Sequence, residues 1–343
     1  MLVDFRSPPQ TPLMQGMFHV LHWAKCHAFR NYKLPKTGNS QMRKLALLAM
    51  ILGSLIVFTS PAFADDARAQ EILKQARAAI GGEERLHKIQ SININGQYRR
   101  IFGERQLGGD REISILLPNK YFVEDSMNPG GLATAMINYR TLNGEHAWNG
   151  QSGGGGGMIF RIGPGGAQAT PEQMEAALHR MLQIEMARYL LALTLTAPES
   201  FALDYKYAGE SEVDDAKAEV IDVTGPDRFA IRLFFDKSTH LPLLISYRGP
   251  KPRIVTMTRP AGGQVKPEDV KKAREDAEKN LSDGPAQSEE VDFYIRLSDH
   301  KKVDGLLLPH KFTFLTGDEV SEEFEISKYQ MNPPFKADKF EKR

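Results

Sequence analysis

The amino-acid sequence predicts an α+β fold in which a curved antiparallel sheet forms an incomplete β-barrel, covered by helices around a hydrophobic cavity. From Ser91 onward, apolar residues recur with a period of two, which is typical of half-buried strands. Two stretches with helical spacing lie before the first strand and in the middle of the chain. A sheet of about eight or more strands closes only partly, so helices must cover its concave face and enclose an apolar pocket.

The N-terminal part of the chain has the pattern of an export signal. A basic pair at positions 43 and 44 precedes a 14-residue apolar run, Leu45 to Phe58, and a small-x-small pattern ends at Ala64. The apolar run is short for a membrane span, which needs about 20 residues. We therefore predict a signal peptide at 42–64, cleavage after Ala64 and a periplasmic product, with an uncleaved anchor as the alternative.

Residues 1–41 are interpreted as a start codon assigned too early or as a disordered extension, and they contain the only cysteine, Cys26. The chain has a formal charge of +1; cleavage after Ala64 removes seven of 44 basic and one of 43 acidic residues, leaving 37 against 42. This balance does not favour nucleic-acid binding, which needs a basic surface. Because residues 65–343 lack cysteine, they offer neither a disulfide nor a thiolate metal site.

The first half of residues 65–343 is predicted to form one helix followed by hairpins. The helix covers 65–80, and Gly81 and Gly82 end it because glycine favours the backbone conformation of a helix C-terminus. Asn143-Gly144 is a strong hairpin signal. The strands lie in SININGQYRRIF, DREISILLPNKYFVED and MINYRTLNGEHAWNG.

A second helix is predicted from Pro171 to about Thr194. Thr170 is its N-cap, Gln173 completes a capping box, and Pro171 occupies the first helical position. Because residues 186–195 are apolar almost all round, we expect the C-terminal half of this helix to be buried.

Strands resume after the second helix, and a charged stretch at 260–288 interrupts them as a surface insertion. The strand-like segments are LDYKYAGES, AEVIDVTGP, RFAIRLFFD, LPLLISYRG and the long run from EEVDFYIRL to FEISKYQ.

The glycine-rich loop 151–166 contains eight glycines in sixteen residues. It lacks the G-K-[ST] ending of a P-loop and the G-x-G-x-x-G spacing of a dinucleotide site, so nucleotide binding is not expected. A connection of about 20 residues is long for a compact domain and is typical of lids or disordered segments. We hypothesise a mobile lip beside the cavity mouth, in which Met158, Ile159 and Phe160 contact ligand; a disordered surface loop is the alternative.

No motif indicates catalysis. The six histidines of 65–343 form no H-E-x-x-H pair, and no G-x-S-x-G nucleophile motif is present. Adjacent carboxylates such as Glu322 and Glu323 lie in polar stretches, where exposure to solvent is the default. We therefore predict a binding protein rather than an enzyme, with no cofactor and no metal.

The candidate ligand-binding residues of the cavity are large apolar side chains at alternating strand positions. A charged substitution at one of them, such as Phe235→Glu, is expected to abolish uptake of a fatty acid while largely sparing the fold. The strand candidates are Ile113, Ile115, Phe122, Leu233, Phe235, Phe293, Ile295, Phe312 and Phe314.

Four segments, which overlap the helix and strands predicted above, carry recognisable structural motifs. They are ILKQARAAIGGEERLHKIQSININGQYR, RFAIRLFFDKSTHLPLLISY, VDGLLLPHKFTF and EFEISKYQMNPPFKADKF. They resemble the LolA/LolB-like superfamily of exported outer-membrane lipoprotein carriers and insertion factors. The resemblance implies one domain at 65–343, an incomplete antiparallel barrel around a cavity that holds acyl chains, and a lipid or an acylated protein as partner. The chain departs from the superfamily in its glycine-rich and charged segments and in having no lipidated cysteine.

These observations together predict an exported soluble protein that binds lipid acyl chains or another hydrophobic ligand, in envelope lipid or lipoprotein trafficking. The alternative is an envelope interaction or sensory module that uses the same fold to bind a protein partner. A hydrolase without a recognisable motif is the third reading.

Overall fold

The computed structural model describes residues 61–127, 135–153, 159–160, 170–251, 255–256 and 290–342. Within these ranges the protein is α+β, as predicted. The helices are α1 (Pro61–Ile80), α2 (Glu83–His87) and α3 (Pro171–Leu193). The strands are β1 (Ser91–Phe102), β2 (Arg105–Leu116), β3 (Lys120–Met127), β4 (Met136–Asn143), β5 (His146–Gly153), β6 (Ile159–Phe160), β7 (Asp204–Val213), β8 (Ala216–Thr224), β9 (Ala230–Asp236), β10 (Pro242–Pro250), β11 (Val255–Thr256), β12 (Glu290–Val303), β13 (Leu306–Thr316) and β14 (Glu319–Met331).

Twelve of the strands form one antiparallel sheet, in the order β5-β4-β3-β2-β1-β14-β13-β12-β10-β9-β8-β7. The pairing of β1 with β14 joins the two halves of the chain in the middle of the sheet. Among the described residues, β5 and β7 each pair on one side only, so the sheet is an open, incomplete barrel. The strands β6 and β11 form a separate two-stranded sheet.

The first helix begins at Pro61, four residues before the predicted start, and it ends at Ile80 as predicted. Gly81 and Gly82 follow with φ of +146° and +91°, values that residues with a side chain rarely adopt. The inward face of α1 is fully buried, and its members are Ala69, Ile72, Leu73, Ala76 and Ile80.

The helix α3 confirms the predicted capping box. The Thr170 hydroxyl accepts a hydrogen bond from the Gln173 backbone N–H at 3.3 Å, and the Gln173 side-chain oxygen accepts one from the Thr170 N–H at 3.0 Å. The C-terminal half of α3 is buried, as its apolar composition predicts. The helix packs against β3, β4 and β5 and covers one face of the sheet, which we call the inner face.

A smaller apolar cluster lies on the opposite, outer face of the sheet. The register explains it: Ile221 faces Leu233 on the inner side, while Val220 faces Phe234 on the outer side. Residues of β8 and β9 are therefore apolar on both faces. The buried members of the outer cluster are Val213, Ala218, Val220, Phe234 and Leu244.

The inner face as a candidate binding site

Eight of the nine predicted strand candidates lie on the inner face. Six of them are 0–6% exposed and pack in the main core with α1 and α3, so they hold the fold together. These six are Ile113, Ile115, Leu233, Phe235, Ile295 and Phe312. Phe293 and Phe314 are only half-buried, which leaves part of each ring accessible.

Phe122 is the exception, because it lies on the outer face. In the β2–β3 register Ile113 pairs with Val123, whereas Phe122 pairs with Ser114. Lys339 covers the Phe122 ring, with its Nζ 4.3 Å from the ring centroid. Residues 121–123 are all apolar, so alternation in the sequence did not show which of them faces inward, and the prediction for Phe122 was wrong on this point.

Most of the hypothesised lip lies outside the described residues, so the lip stays a prediction. Met158 lies outside the described residues. Ile159 and Phe160 form β6, whose backbone pairs with Thr256 and Val255 of β11, and their side chains are not described. The charged insertion 260–288 also lies outside the described ranges.

One half-buried part of the inner face is aromatic. Tyr247 on β10 stacks on Phe293 of β12, with ring centroids 5.0 Å apart and an interplanar angle of 13°. Phe314 on β13 stacks on the buried Phe312, with ring centroids 6.4 Å apart. We call Tyr247, Phe293 and Phe314 the aromatic patch. The sequence analysis missed Tyr247, although its alternation with Ile245 in a predicted strand was a usable signal.

One arginine from the covering helix lies against this patch. The guanidinium carbon of Arg188 on α3 is 3.6 Å from the Tyr247 ring centroid, a cation–π contact. The Arg188 Nε is buried and has no hydrogen-bond acceptor among the described residues. Burial lowers the pKa of the Arg188 guanidinium, and Tyr247 and Glu185 offset only part of this effect.

Next to the apolar core, the inner face also holds a buried network of ion pairs. Arg111 on β2 bonds both oxygens of Asp125 on β3, at 2.6 and 3.1 Å, and also contacts Glu322 on β14. Arg100 on β1 bonds the same two carboxylates at 2.7 and 2.6 Å. Both guanidinium groups lie over the Tyr98 ring. The guanidinium carbon of Arg100 is 4.9 Å from the ring centroid, and that of Arg111 is 4.6 Å from it.

The pKa values in this network follow from burial and charge together. Burial raises the pKa of Asp125, but the opposing charge and hydrogen bonds of Arg111 outweigh it and hold the pKa far below its usual value. The pKa of Glu322 is lowered in the same way. Burial, together with the charge of Asp125, raises the pKa of Tyr98 to about 12.

A second ion pair connects the sheet to α3. Arg140 on β4 donates to Glu185 at 3.0 Å, and the Tyr121 hydroxyl donates to the same carboxylate oxygen at 3.1 Å. One turn later on the helix, Arg188 contacts Tyr247 on β10. Since β4 and β10 are seven places apart in the strand order, α3 contacts strands from both halves of the sheet.

The sequence analysis did not foresee these buried charges. It assigned Glu322 to solvent together with Glu323, but the Glu322 side chain is only 15% exposed and binds two arginines. The sequence did contain an indication of buried charge. Arg100, Arg111 and Arg140 occupy strand positions at which the period of two predicts inward-facing apolar residues. The partners of these arginines come from other strands, so spacing along the chain does not show them.

Two surface clefts border the described residues, and neither contains a predicted cavity residue. The first, of about 570 Å³, lies over β1, β2, β3 and β14 and is lined mostly by polar side chains such as Asp110, Glu112 and Glu124. The second, of about 420 Å³, lies between α1 and the start of β7.

The described residues contain no group of three or more His, Cys, Asp or Glu side chains arranged to hold a metal ion. Over the same ranges, no helix combines the length and the apolar character that crossing a membrane requires.

The fold and the site define an open antiparallel sheet whose inner face is covered by helices and carries a half-buried aromatic patch beside arginine. No protein-family model matches the chain, and no curated protein matches it.

Solved structures that match include a LolA superfamily protein from Nitrosomonas europaea, with 11% identity and a TM-score of 0.42 over 80% of this chain and 97% of that one. A domain named for outer-membrane lipoprotein sorting from Vibrio parahaemolyticus is 8% identical, with a TM-score of 0.41 over 81% and 97% of the two chains. A DUF1329 family protein from Desulfovibrio piger is 11% identical, with a TM-score of 0.40 over 80% and 97%.

Proposed function

We propose that this protein binds the acyl chain of a lipid, or a similar hydrophobic ligand, on the inner face of the sheet and carries it within the cell envelope. The observation that supports this function best is the aromatic patch. Tyr247, Phe293 and Phe314 are half-buried at the margin of the main core on this face. Large aromatic side chains left partly accessible beside a core are typical of binding surfaces.

The energetics of the patch suit a ligand with a flexible apolar chain. Each Å² of apolar surface removed from water contributes about 25 cal/mol, so covering about 200 Å² of patch and chain stabilises a complex by about 5 kcal/mol before ordering costs. The open edges β5 and β7 leave the sheet without the closed wall of a complete barrel. The resemblance of the four sequence segments to lipoprotein carriers also favours an acyl ligand.

Export is part of this proposal. The apolar run and the small-x-small pattern before Ala64 support cleavage there and release into the periplasm. N-terminal sequencing of the protein from its own cells should find Asp65 as the first residue. Retention of Met1 or Met42 on membrane-bound material would favour the anchored form instead.

Two adjacent residues of β12 provide a matched test of ligand binding. Phe293 and Tyr294 are both half-buried, but Phe293 lies on the inner face and Tyr294 on the outer face. We expect Phe293→Gln to weaken binding of a fluorescent fatty acid, because it places an amide where the acyl chain lies. Tyr294→Gln removes a similar ring from the same strand and should leave the affinity unchanged.

Titration of the fluorescent fatty acid into each purified variant measures the affinity, and thermal unfolding of each variant checks that it is folded. Equal affinities for folded Phe293→Gln and Tyr294→Gln would contradict an inner-face site. Absence of binding to the unmodified protein would contradict the proposed function altogether.

A second candidate function is binding of another envelope protein, and α3 provides the observation in its favour. Met174 and Met181 lie two turns apart on this helix and are 57% and 40% exposed. Exposed methionines adapt to varied apolar partners. Photo-crosslinking from position 181 in intact cells, compared with position 183 as a control, should produce a specific adduct if a protein partner binds here.

A further inference from the structure

Among the inner-face arginines, Arg188 has no carboxylate partner. Arg100 and Arg111 share Asp125 and Glu322, and Arg140 bonds Glu185. No described residue places a carboxylate within ion-pair distance of Arg188. Glu185, the acid one turn earlier on the helix, is already engaged by Arg140 and Tyr121. Of these four arginines, Arg188 alone forms no ion pair in the part of the chain that the structure describes.

A half-buried guanidinium without an acceptor for its buried Nε carries a desolvation cost, and an anion offsets that cost by binding it. The cation–π contact with Tyr247 satisfies the face of the guanidinium but not its N–H groups, which point in the guanidinium plane. The buried Nε of Arg188 has no acceptor among the residues the structure describes. These in-plane donors are the ones that bind a carboxylate or a phosphate through two parallel hydrogen bonds.

The surroundings of Arg188 match the two parts of an amphiphile. The guanidinium lies on Tyr247, and Tyr247 stacks on Phe293 within the aromatic patch. A charged donor and an accessible apolar surface are therefore in contact on the same face of the sheet. A ligand with an anionic headgroup and an acyl chain contacts the donor with its headgroup and the apolar surface with its chain.

We propose that Arg188 binds the anionic headgroup, a carboxylate or a phosphate, of an amphiphile whose acyl chain lies on the aromatic patch. This inference rests on the proposed function and narrows the ligand class to anionic single-headed lipids. Arg188 acts here as the residue that sets ligand specificity, while Tyr247 and Phe293 provide apolar contact.

Three ligands with the same chain test the headgroup: oleate, oleyl phosphate and oleyl alcohol. Their affinities are measured by displacement of a fluorescent fatty acid from the protein comprising residues 65–343. We expect the unmodified protein to bind oleate or oleyl phosphate about tenfold or more tightly than the alcohol, because charge-assisted hydrogen bonds form only with the anions. The better of the two anions identifies the headgroup as carboxylate or phosphate.

Arg188→Gln should remove this preference and retain binding of the alcohol, and Arg188→Lys should keep part of the preference because it keeps the charge. Arg248→Gln is the matched control, since Arg248 follows Tyr247 on β10, is exposed and pairs with Asp292 at 3.4 Å. It should leave the preference intact.

Similar affinities of the unmodified protein for all three ligands would overturn the headgroup inference and leave acyl binding in place. A preference that persists in folded Arg188→Gln would also overturn it. Failure to bind any of the three would contradict the proposed function, and the headgroup inference with it.

Discussion

Arg111 on β2 and Asp125 on β3 face each other directly in the sheet register and form a two-bond ion pair, with Nε to Oδ1 at 2.6 Å and Nη2 to Oδ2 at 3.1 Å. Their side chains are 4% and 6% exposed. A buried pair of this kind does not guarantee stability by its presence, because both charges lose their water. Removal of one partner is nevertheless costly, since it leaves the other charge buried without compensation.

We therefore expect Arg111→Met to lower the free energy of unfolding by about 3–5 kcal/mol. Arg99→Met is the control, because Arg99 on β1 pairs with Glu323 while about half exposed. Exposed pairs contribute about 0–1 kcal/mol, so this variant should change stability little. Urea denaturation of both variants measures the difference, and equal losses would show that the buried network is not a major determinant of stability.

The lowered pKa of Asp125 predicts a loss of stability in acid. Its folded-state pKa lies below the ordinary value of 3.8, so the unfolded chain takes up the proton first as the pH falls. The stabilising contribution of this carboxylate is therefore complete above about pH 5 and declines as the pH drops through about 4 and below.

Urea denaturation at several pH values between 3 and 7 measures this effect in the unmodified protein and in Asp125→Asn. The variant should be less stable at pH 7 and should lose less stability on acidification. Parallel curves for the two proteins would assign the acid sensitivity to other groups.

The positions of Phe235 and Phe293 predict opposite consequences of substitution. Phe235 is 1% exposed and packs in the main core, so Phe235→Ala should cost about 3–5 kcal/mol and Phe235→Glu should unfold the protein rather than act on ligand uptake alone. Phe293→Ala should cost clearly less, because its ring is half-buried. Thermal and urea unfolding compare them, and a larger loss for Phe293→Ala would contradict its assignment to the accessible patch.

The two glycines after α1 differ in their surroundings. A Cβ at Gly81 would lie 2.6 Å from Leu306 Cδ2 and 3.0 Å from the Gly305 carbonyl oxygen, whereas one at Gly82 would meet nothing within 4 Å. Both have positive φ, so alanine at either adds strain of about 1–3 kcal/mol. Gly81→Ala should cost a further amount of about 1–3 kcal/mol from overpacking. Similar unfolding free energies for the two variants would show that Leu306 moves aside freely.

Local features of the fold were predictable because their hydrogen bonds form between residues close in the chain. Thr170 and Gln173 cap α3 from three residues apart, and Gly81 and Gly82 end α1 within one turn. The Asn143-Gly144 turn joins β4 to β5 as expected. The period of two then identified most strands, and with them the antiparallel sheet.

The face of a strand and the partner of a charge depend on pairings that are distant in the chain. Phe122 was placed on the outer face by its register with Ser114, because three consecutive apolar residues carry no alternation to read. Arg100 meets Glu322 across 222 positions of sequence, through the pairing of β1 with β14. Arg188 reaches Tyr247 because the curved sheet brings β10 under α3. Spacing along the chain identifies such residues as polar or apolar, but their contacts are set by strand register and sheet curvature, which depend on the packing of the whole domain.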